Sequence, residues 1–181
     1  MMRAWIAGVL LAAAAGPALG AEFKLLSTDV KSGSPMSIAQ ADTNCGGNNI
    51  SPALSWSGEP AGAQSFAVTI YDPDARNGAG WWHWAVFNIP AGVHGLAAGA
   101  GSPGSKELPA GAAQGRNDLG VSAYNGPCPP AGDHAHHYEI TVYALRLARL
   151  PLNEAASDAE IGRALQANAL ATAKIVGRYA R

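Results

Sequence analysis

The stretch GPCPPAGDHAHHY, residues 126–138, continues directly into the apolar segment EITVYAL. It contains three prolines and three of the five histidines of the chain. If the backbone is already extended at the end of this stretch, a period of two places His134, His136 and Tyr138 on one face, and the alternate apolar residues that follow continue that face. The prolines restrict the preceding loop at little entropic cost. The stretch therefore predicts a pocket at the start of a strand, with a stiff loop as its wall.

The apolar segments elsewhere are short and are separated by turn residues, which is typical of strands. The chain has 22 glycines and 12 prolines, and its core is predicted to be mainly β. The candidate strands are residues 23–26, 53–56, 65–72, 82–90 and 137–147. The third and fourth are almost continuously apolar, as expected for central strands that are covered on both faces.

The C-terminal segment, from Ser157 onward, has helical character. Ile161 and Leu165 stand four residues apart, and Ser157 with Glu160 matches a capping box. One helix, or two short helices broken near Asn168, are expected to close the fold.

The first 20 residues have the three parts of a secretory signal peptide: Arg3, an apolar run of about a dozen residues, and a small-Leu-small sequence ending at Gly20. A membrane anchor is the alternative, but the apolar run is shorter than the roughly 20 residues that a spanning helix needs. Residues 21–181 have a length suited to one domain. We expect a periplasmic or secreted protein with a single domain and no transmembrane segment after signal cleavage.

The net charge limits the kinds of partner that are expected, and the two cysteines raise the question of a disulfide. The formal net charge is −1 at pH 7 and there is no run rich in lysine and arginine, so a nucleic acid or an anionic membrane surface is not an expected partner. Cys45 and Cys128 both lie in loop sequences. Export permits a disulfide between them, and two reduced, packed thiols are the alternative.

Acidic and imidazole side chains occur where apolar strands meet loops. Asp72 and Asp74 stand at the end of the strand at 65–72, and His83 is at the start of the next. A hairpin would bring Asp72 and His83 to the same end of the sheet, where the carboxylate would fix the tautomer of the imidazole and favour its charged form. For Asp74, the alternative is a turn residue that bonds its own backbone.

These segments together resemble the phosphatidylethanolamine-binding protein (PEBP) family, which includes the Raf kinase inhibitor proteins, and specifically its bacterial branch. The resemblance is carried by NNISPALSW, YDPDA, WWHWAVFNIP and YNGPCPPAGDHAHHYEITVYAL, in family order and spacing. It covers nearly all of residues 21–181. It implies an antiparallel β-sandwich with a C-terminal helix, and a small pocket that takes anions such as phosphate or a phospholipid head group.

The resemblance also implies which residues form the pocket. It places ligand-binding side chains at Asp72, Asp74, His83, Tyr124, Pro127, Pro129, Pro130, His136 and Tyr138. It brings the segments around Cys45 and Cys128 together beside the pocket, so that a disulfide is expected there. Two positions depart from the family pattern: Arg76 replaces a proline, and His137 replaces the usual arginine.

The function that these residues favour is binding of phosphate, a phosphorylated small molecule or a phospholipid head group, with a kinase-inhibitor-like effect on a partner protein as an extension. One alternative is a protein inhibitor with a vestigial pocket, and another is a hydrolase that uses the Asp/His site. No Gly-x-Ser-x-Gly or His-Glu-x-x-His motif is present, so neither an enzyme nor a cofactor is expected. A metal is not expected to be required, although Asp72, His83 and His136 offer ligands for one.

Overall fold

The computed structural model describes residues 21–181, and the expected signal peptide, residues 1–20, lies outside them. Among the described residues, no helix has the length and apolar character needed to cross a membrane. The elements follow one another along the chain as β1 (Lys24–Leu26), a 3-10 turn (Thr43–Cys45), β2 (Leu54–Ser57), β3 (Ser65–Asp72), the short helix α1 (Ala75–Gly78), β4 (Trp81–Pro90), β5 (Gly95–Leu96), β6 (Ala113–Gln114), β7 (His136–Leu145), α2 (Asp158–Asn168) and β8 (Ala169–Tyr179).

The strands form two antiparallel sheets. The smaller sheet has the order β1-β2-β5, and the larger has the order β6-β4-β3-β7-β8. Alternate residues of β3, such as Phe66 and Val68, belong to the same buried cluster as Leu25 and Trp56 of the small sheet. Burying these apolar faces against each other is the main favourable contribution to the fold. The predicted antiparallel β-sandwich is confirmed.

The other face of the large sheet is covered by α2. Ala67 of β3 and Phe87 of β4 form a second buried cluster with Ile161 and Leu165 of the helix. The central strands are thus covered on both sides, which explains why their sequences are almost continuously apolar. The helix begins at the predicted capping box, in which the Ser157 backbone N–H donates to the Glu160 carboxylate at 2.9 Å.

Of the two alternatives for the C-terminal segment, the single helix is confirmed and the second helix after Asn168 is not formed, because residues 169–179 form strand β8 beside β7. Ala169 already has extended backbone angles, with φ −68° and ψ 131°. Ala173, Ile175 and Gly177 are buried at alternate positions, so a period of two was present in the sequence. Pairing with β7 satisfies the backbone groups of this segment and overrides the helix preference of its alanines.

The antiparallel pairing of the large sheet positions the polar residues. Strand β3 pairs with both β4 and β7, and in these ladders Asp72 lies opposite Trp81 while Tyr71 lies opposite Glu139. The C-terminal end of β3 therefore lies beside the N-terminal ends of β4 and β7, at one end of the sheet. His83 and His136 lie near the beginnings of those two strands, so the fold brings both of them close to Asp72.

Candidate functional site

A cleft of about 670 Å³ opens at this end of the large sheet. Its walls come from the ends of β3, β4 and β7, from α1 and from the proline-containing loop before β7. Seven of the nine predicted site residues line it: Asp72, Asp74, His83, Pro129, Pro130, His136 and Tyr138. The structure thus gathers residues that are up to 66 positions apart in the chain, from Asp72 to Tyr138, into one cavity.

Asp72 is the centre of the hydrogen bonding at the base of the cleft. Its buried carboxylate accepts from the backbone N–H groups of Asp74 and Ala75 at 2.8 and 3.1 Å, and from Nδ1 of His136 at 2.7 Å. The expected hydrogen bond between Asp72 and His83 is therefore not formed, and Asp72 binds His136 instead. The nearest approach of the His83 ring to this carboxylate is 3.9 Å, from Nε2, which exceeds hydrogen-bond distance.

His83 is held instead by a backbone carbonyl. Its Nδ1 lies 2.7 Å from the carbonyl oxygen of Asn125, and because a carbonyl only accepts, Nδ1 carries the proton. Burial lowers the pKa of His83, and this effect outweighs the hydrogen bond and the nearby carboxylates. His83 is thus neutral near pH 7, and its Nε2 has a free lone pair. Asn125 is itself fixed by donating from its side chain to Asp42.

His136 differs from His83 in charge as well as in partner. Burial by itself lowers the pKa of His136, but the hydrogen bonds and charges of Asp72 and Asp133 together raise it above its ordinary value. The Asp72 carboxylate accepts the Nδ1–H, so Nε2 is the ring atom that remains for other partners. Nε2 lies 3.4 Å from the Asp133 carboxylate.

Two donors in the cleft have no partner among residues 21–181. The Tyr138 side chain is only 1% exposed, and neither its hydroxyl nor the indole N–H of Trp81 makes a hydrogen bond there. Burial, and next the negative charge of the nearby Asp72 carboxylate, raise the pKa of the Tyr138 hydroxyl, so this group keeps its proton. A buried donor without a partner costs about 1 to 3 kcal/mol. These two donors are therefore the groups of the cleft with most to gain from an acceptor supplied by a ligand.

The wall of the cleft is fixed by a disulfide, which confirms the predicted pairing of Cys45 with Cys128. Cys128 lines the cleft with Pro129 and Pro130. The other two predicted wall residues lie behind this surface and do not line it. The hydroxyl of Tyr124 donates to the Gln40 carbonyl at 2.8 Å, and the carbonyl of Pro127 accepts from the Asp42 N–H at 3.0 Å.

Asp74 joins two elements of the cleft and is not only a turn residue. Its carboxylate accepts from both the backbone N–H and the Nδ1 of His137, at 2.7 and 2.8 Å. Burial alone would raise the pKa of Asp74. The hydrogen bonds and charge of His137 outweigh this effect, so the pKa of Asp74 is below its ordinary value. The histidine that replaces the family arginine thus anchors β7 to the loop after β3.

The mouth of the cleft carries a cation, Arg76, at one of the two positions that depart from the family pattern. The guanidinium of Arg76 lies 4.1 Å from the ring centroid of Trp81, and 3.7 Å from the carboxylate of Asp118. Arg76 has a left-handed φ of 54°, as does its neighbour Asn77 with 56°. The turn after Asp74 therefore places this charge beside the opening.

Sequence reasoning also missed Asp42, Asn125 and Asp133 as residues of the cleft. Asp42 and Asn125 lie in irregular loops where no periodic pattern marks them, and their roles arise from contacts across 83 positions of sequence. Asp133 had a usable signal, because it directly precedes the histidines of the sequence Asp-His-Ala-His.

The two buried histidines are expected to differ in an NMR titration. His83 should remain in the neutral Nδ1–H form well below its ordinary pKa of about 6.5, because burial penalises its charged form. Ring ¹⁵N shifts report the tautomer directly, and the His83 signals are assigned by their loss in His83→Gln. A charged His83 ring at pH 6 would contradict the lowered pKa, and a neutral ring with its proton on Nε2 would contradict the placement of the proton on Nδ1.

Comparison with known proteins agrees with the fold. Residues 26–180 match the family model described as phosphatidylethanolamine-binding protein, and the chain belongs to the phosphatidylethanolamine-binding protein family. The UPF0098 protein YbcL of Escherichia coli is 44% identical over 180 residues, covering 98% of each chain. YbhB of the same organism is 42% identical over 158 residues, covering 86% of this chain and 99% of YbhB.

The crystal structure of E. coli YbcL, described as a new member of the mammalian PEBP family, matches with a TM-score of 0.86. The match has 47% sequence identity and covers 89% of this chain and 99% of that one. The resemblance to the bacterial branch of the family, which contains the YbcL and UPF0098 proteins, is confirmed.

Proposed function

We propose that this protein is an extracytoplasmic binding protein whose cleft takes phosphate or a phosphorylated head group. The observation that carries the proposal is the buried Tyr138 hydroxyl, a donor without a partner among the described residues, in the same cleft as the Asp72-bound His136. The disulfide supports a location outside the reducing cytoplasm. Membership of the PEBP family supports the ligand class.

The donors of the cleft suit an oxyanion. The indole N–H of Trp81 and the hydroxyl of Tyr138 have no partner within residues 21–181, and the imidazolium of His136 adds a positive charge. Hydrogen bonds to a charged partner contribute about 1.5 to 3 kcal/mol each. The carboxylates of the cleft repel an anion less than their number indicates, because Asp72 and Asp74 already accept from backbone N–H groups and histidines.

The neutral His83 adds selectivity for a protonated anion. Its Nε2 accepts and cannot donate, because Nδ1 holds the proton against the Asn125 carbonyl. A phosphate or phosphomonoester that retains one proton, as it does below its second pKa of about 6, offers both acceptor oxygens and one O–H donor. This pattern matches the mixed donors and acceptor of the cleft.

The side chains of the cleft favour binding over nucleophilic catalysis. No serine, threonine or lysine is among the cleft-lining residues of the described part of the chain, and its cysteine is held in the disulfide. Serine, threonine, cysteine and lysine are the usual hydroxyl, thiol and amine nucleophiles of covalent catalysis, and none is free among these lining residues. We therefore propose binding, and not covalent catalysis by such a nucleophile, as the function of the cleft.

Calorimetric titration of EDTA-treated protein with inorganic phosphate and with phosphoethanolamine at pH 6 tests this function. Tyr138→Phe is expected to weaken binding by about 1 kcal/mol, since it removes one hydrogen bond. His136→Ala is expected to weaken it by at least that amount, because it removes the charged donor.

Two variants provide matched controls. Tyr143→Phe changes a tyrosine on the same strand that packs in the cluster beneath α2, and His94→Ala changes an exposed histidine bonded to Glu59. Neither is expected to alter the affinity. If Tyr138→Phe and His136→Ala both bind phosphate as the parent does, the cleft is not the anion site.

A further inference from the structure

Three potential metal ligands from a four-residue segment converge at the mouth of the cleft. Nδ1 of His134 lies 2.9 Å from one carboxylate oxygen of Asp133, and Nε2 of His136 lies 3.4 Å from the other. One ligand atom from each residue lies within 4.8 Å of the others. Ligands around a tetrahedral zinc ion at about 2.0 to 2.2 Å stand roughly 3.3 Å apart, so the cluster needs only a small contraction. We propose that Asp133, His134 and His136 bind a first-row transition-metal dication such as Zn²⁺.

The contact between Asp72 and His136 is an independent observation in favour of a metal. Histidines that ligate a metal commonly donate their other ring N–H to a carboxylate, which fixes the tautomer and makes the ligating nitrogen more basic. Asp72 does this, accepting from Nδ1 of His136 at 2.7 Å, and is itself held by two backbone N–H groups. Once the Nε2 proton leaves, that lone pair faces Asp133. The buried half of the site is thus built before a metal arrives.

The exposed half of the site is free to adjust. The side chain of His134 is 65% exposed and that of Asp133 is 40% exposed, while that of His136 is 4% exposed. The loop that carries them is fixed at its base, because the Gly132 N–H donates to the Arg181 carbonyl at 2.9 Å and the Asp133 N–H donates to Pro130 at 3.2 Å. Rotation of the exposed Asp133 and His134 side chains can bring their ligand atoms to within bonding distance of an ion held by His136.

The donor set selects the kind of metal. Two imidazoles and one carboxylate suit zinc, copper or nickel, whereas magnesium and calcium prefer oxygen ligands alone. Three protein ligands leave a fourth tetrahedral position, as in zinc sites that bind water or another small ligand. All three ligand residues also line the cleft, so that position is available to a molecule bound there.

The metal site is distinct from the proposed anion binding, and both use Nε2 of His136. The two binding events are measured under different solution conditions. Phosphate binding is measured with EDTA-treated protein, and metal binding is measured in phosphate-free buffer. Failure of either measurement leaves the other intact.

Titration of EDTA-treated protein with ZnCl₂ in phosphate-free buffer is expected to show one zinc ion bound per chain, and titration with MgCl₂ is expected to show none. Asp133→Ala and His134→Ala change exposed side chains, and each is expected to weaken zinc binding at least about tenfold. Asp72→Asn is expected to weaken zinc binding about 10- to 100-fold, although the side chain at position 72 does not contact the ion. Its amide donates to Nδ1 of His136 and so moves the ring proton to Nε2, which then cannot ligate.

His94→Ala is the matched control, because His94 and Glu59 also form a histidine–carboxylate contact, at 2.9 Å, but have no third ligand within residues 21–181. It is expected to leave the zinc affinity unchanged. Anomalous diffraction from zinc-soaked crystals should place the ion about 2.0 to 2.2 Å from His134 and His136. The proposal is overturned if no saturable zinc binding occurs, or if Asp133→Ala and His134→Ala both bind zinc as the parent does.

Discussion

Replacing both cysteines, in the double variant Cys45→Ser and Cys128→Ser, is expected to lower the free energy of unfolding by about 4 to 5 kcal/mol. The disulfide spans 83 positions of sequence, and in the chain-entropy model a loop of this length restricts the unfolded chain by about that amount. Such a loss is a large fraction of the roughly 5 to 15 kcal/mol that stabilises a typical domain. Urea denaturation followed by tryptophan fluorescence measures it.

The folded state itself should change little, because other bonds hold the same two segments together. The side chain of Asn49 accepts from the Gly126 N–H at 2.7 Å, and the Asp42 N–H donates to the Pro127 carbonyl at 3.0 Å. The affinity for phosphate at pH 6 should therefore stay within about twofold of the parent, since two folded-state bonds of ordinary strength remain in place. Parent protein reduced with dithiothreitol is the control and should unfold like the double variant. A difference below about 1 kcal/mol would contradict the entropic account.

Asp72→Ala is expected to lower the free energy of unfolding by about 3 to 5 kcal/mol, which is the usual cost of removing one partner of a buried ion pair. The Asp72 side chain is buried and accepts three hydrogen bonds, two from backbone N–H groups and one from His136. Alanine leaves all three donors without an acceptor in a place that water reaches poorly. Urea denaturation at pH 6 measures the loss.

Glu59→Ala is the control for this effect. Glu59 accepts from Nε2 of His94 at 2.9 Å, a distance similar to that between Asp72 and His136, but the His94 side chain is 45% exposed. An exposed pair contributes about 0 to 1 kcal/mol. Equal losses for Asp72→Ala and Glu59→Ala would show that burial of Asp72 is not the source of its contribution.

The strands were predictable because their signals are local. The segment at 65–72 was predicted with its observed bounds, and the segment at 82–90 is one residue short of β4. Apolar runs between turn residues mark such strands without knowledge of their partners. The tail was predicted less well, because alanine favours a helix locally and the pairing partner of β8 lies more than 20 residues earlier in the chain.

The polar residues at the base of the cleft were predictable for the same reason. Asp72, His83 and His136 lie at the ends of recognisable strands, and the antiparallel order of β4, β3 and β7 brings those ends together. Strand periodicity added Tyr138, and the restricted loop before it added the wall prolines. Tyr124 was misplaced because a strong motif position does not tell which way a side chain points, and its hydroxyl is bound to Gln40 behind the wall.

From the amino-acid sequence alone, a mainly β sandwich of the PEBP family follows, with acidic and imidazole residues at one end and two cysteines in loops beside them. How the cysteines and these polar residues are paired depends on the folded chain. Asp72 holds His136, 64 positions away, and His83 is held by Asn125, 42 positions away. Hydrogen bonds depend on distances of a few tenths of an ångström and on direction, and strand periodicity specifies only the face on which a side chain lies.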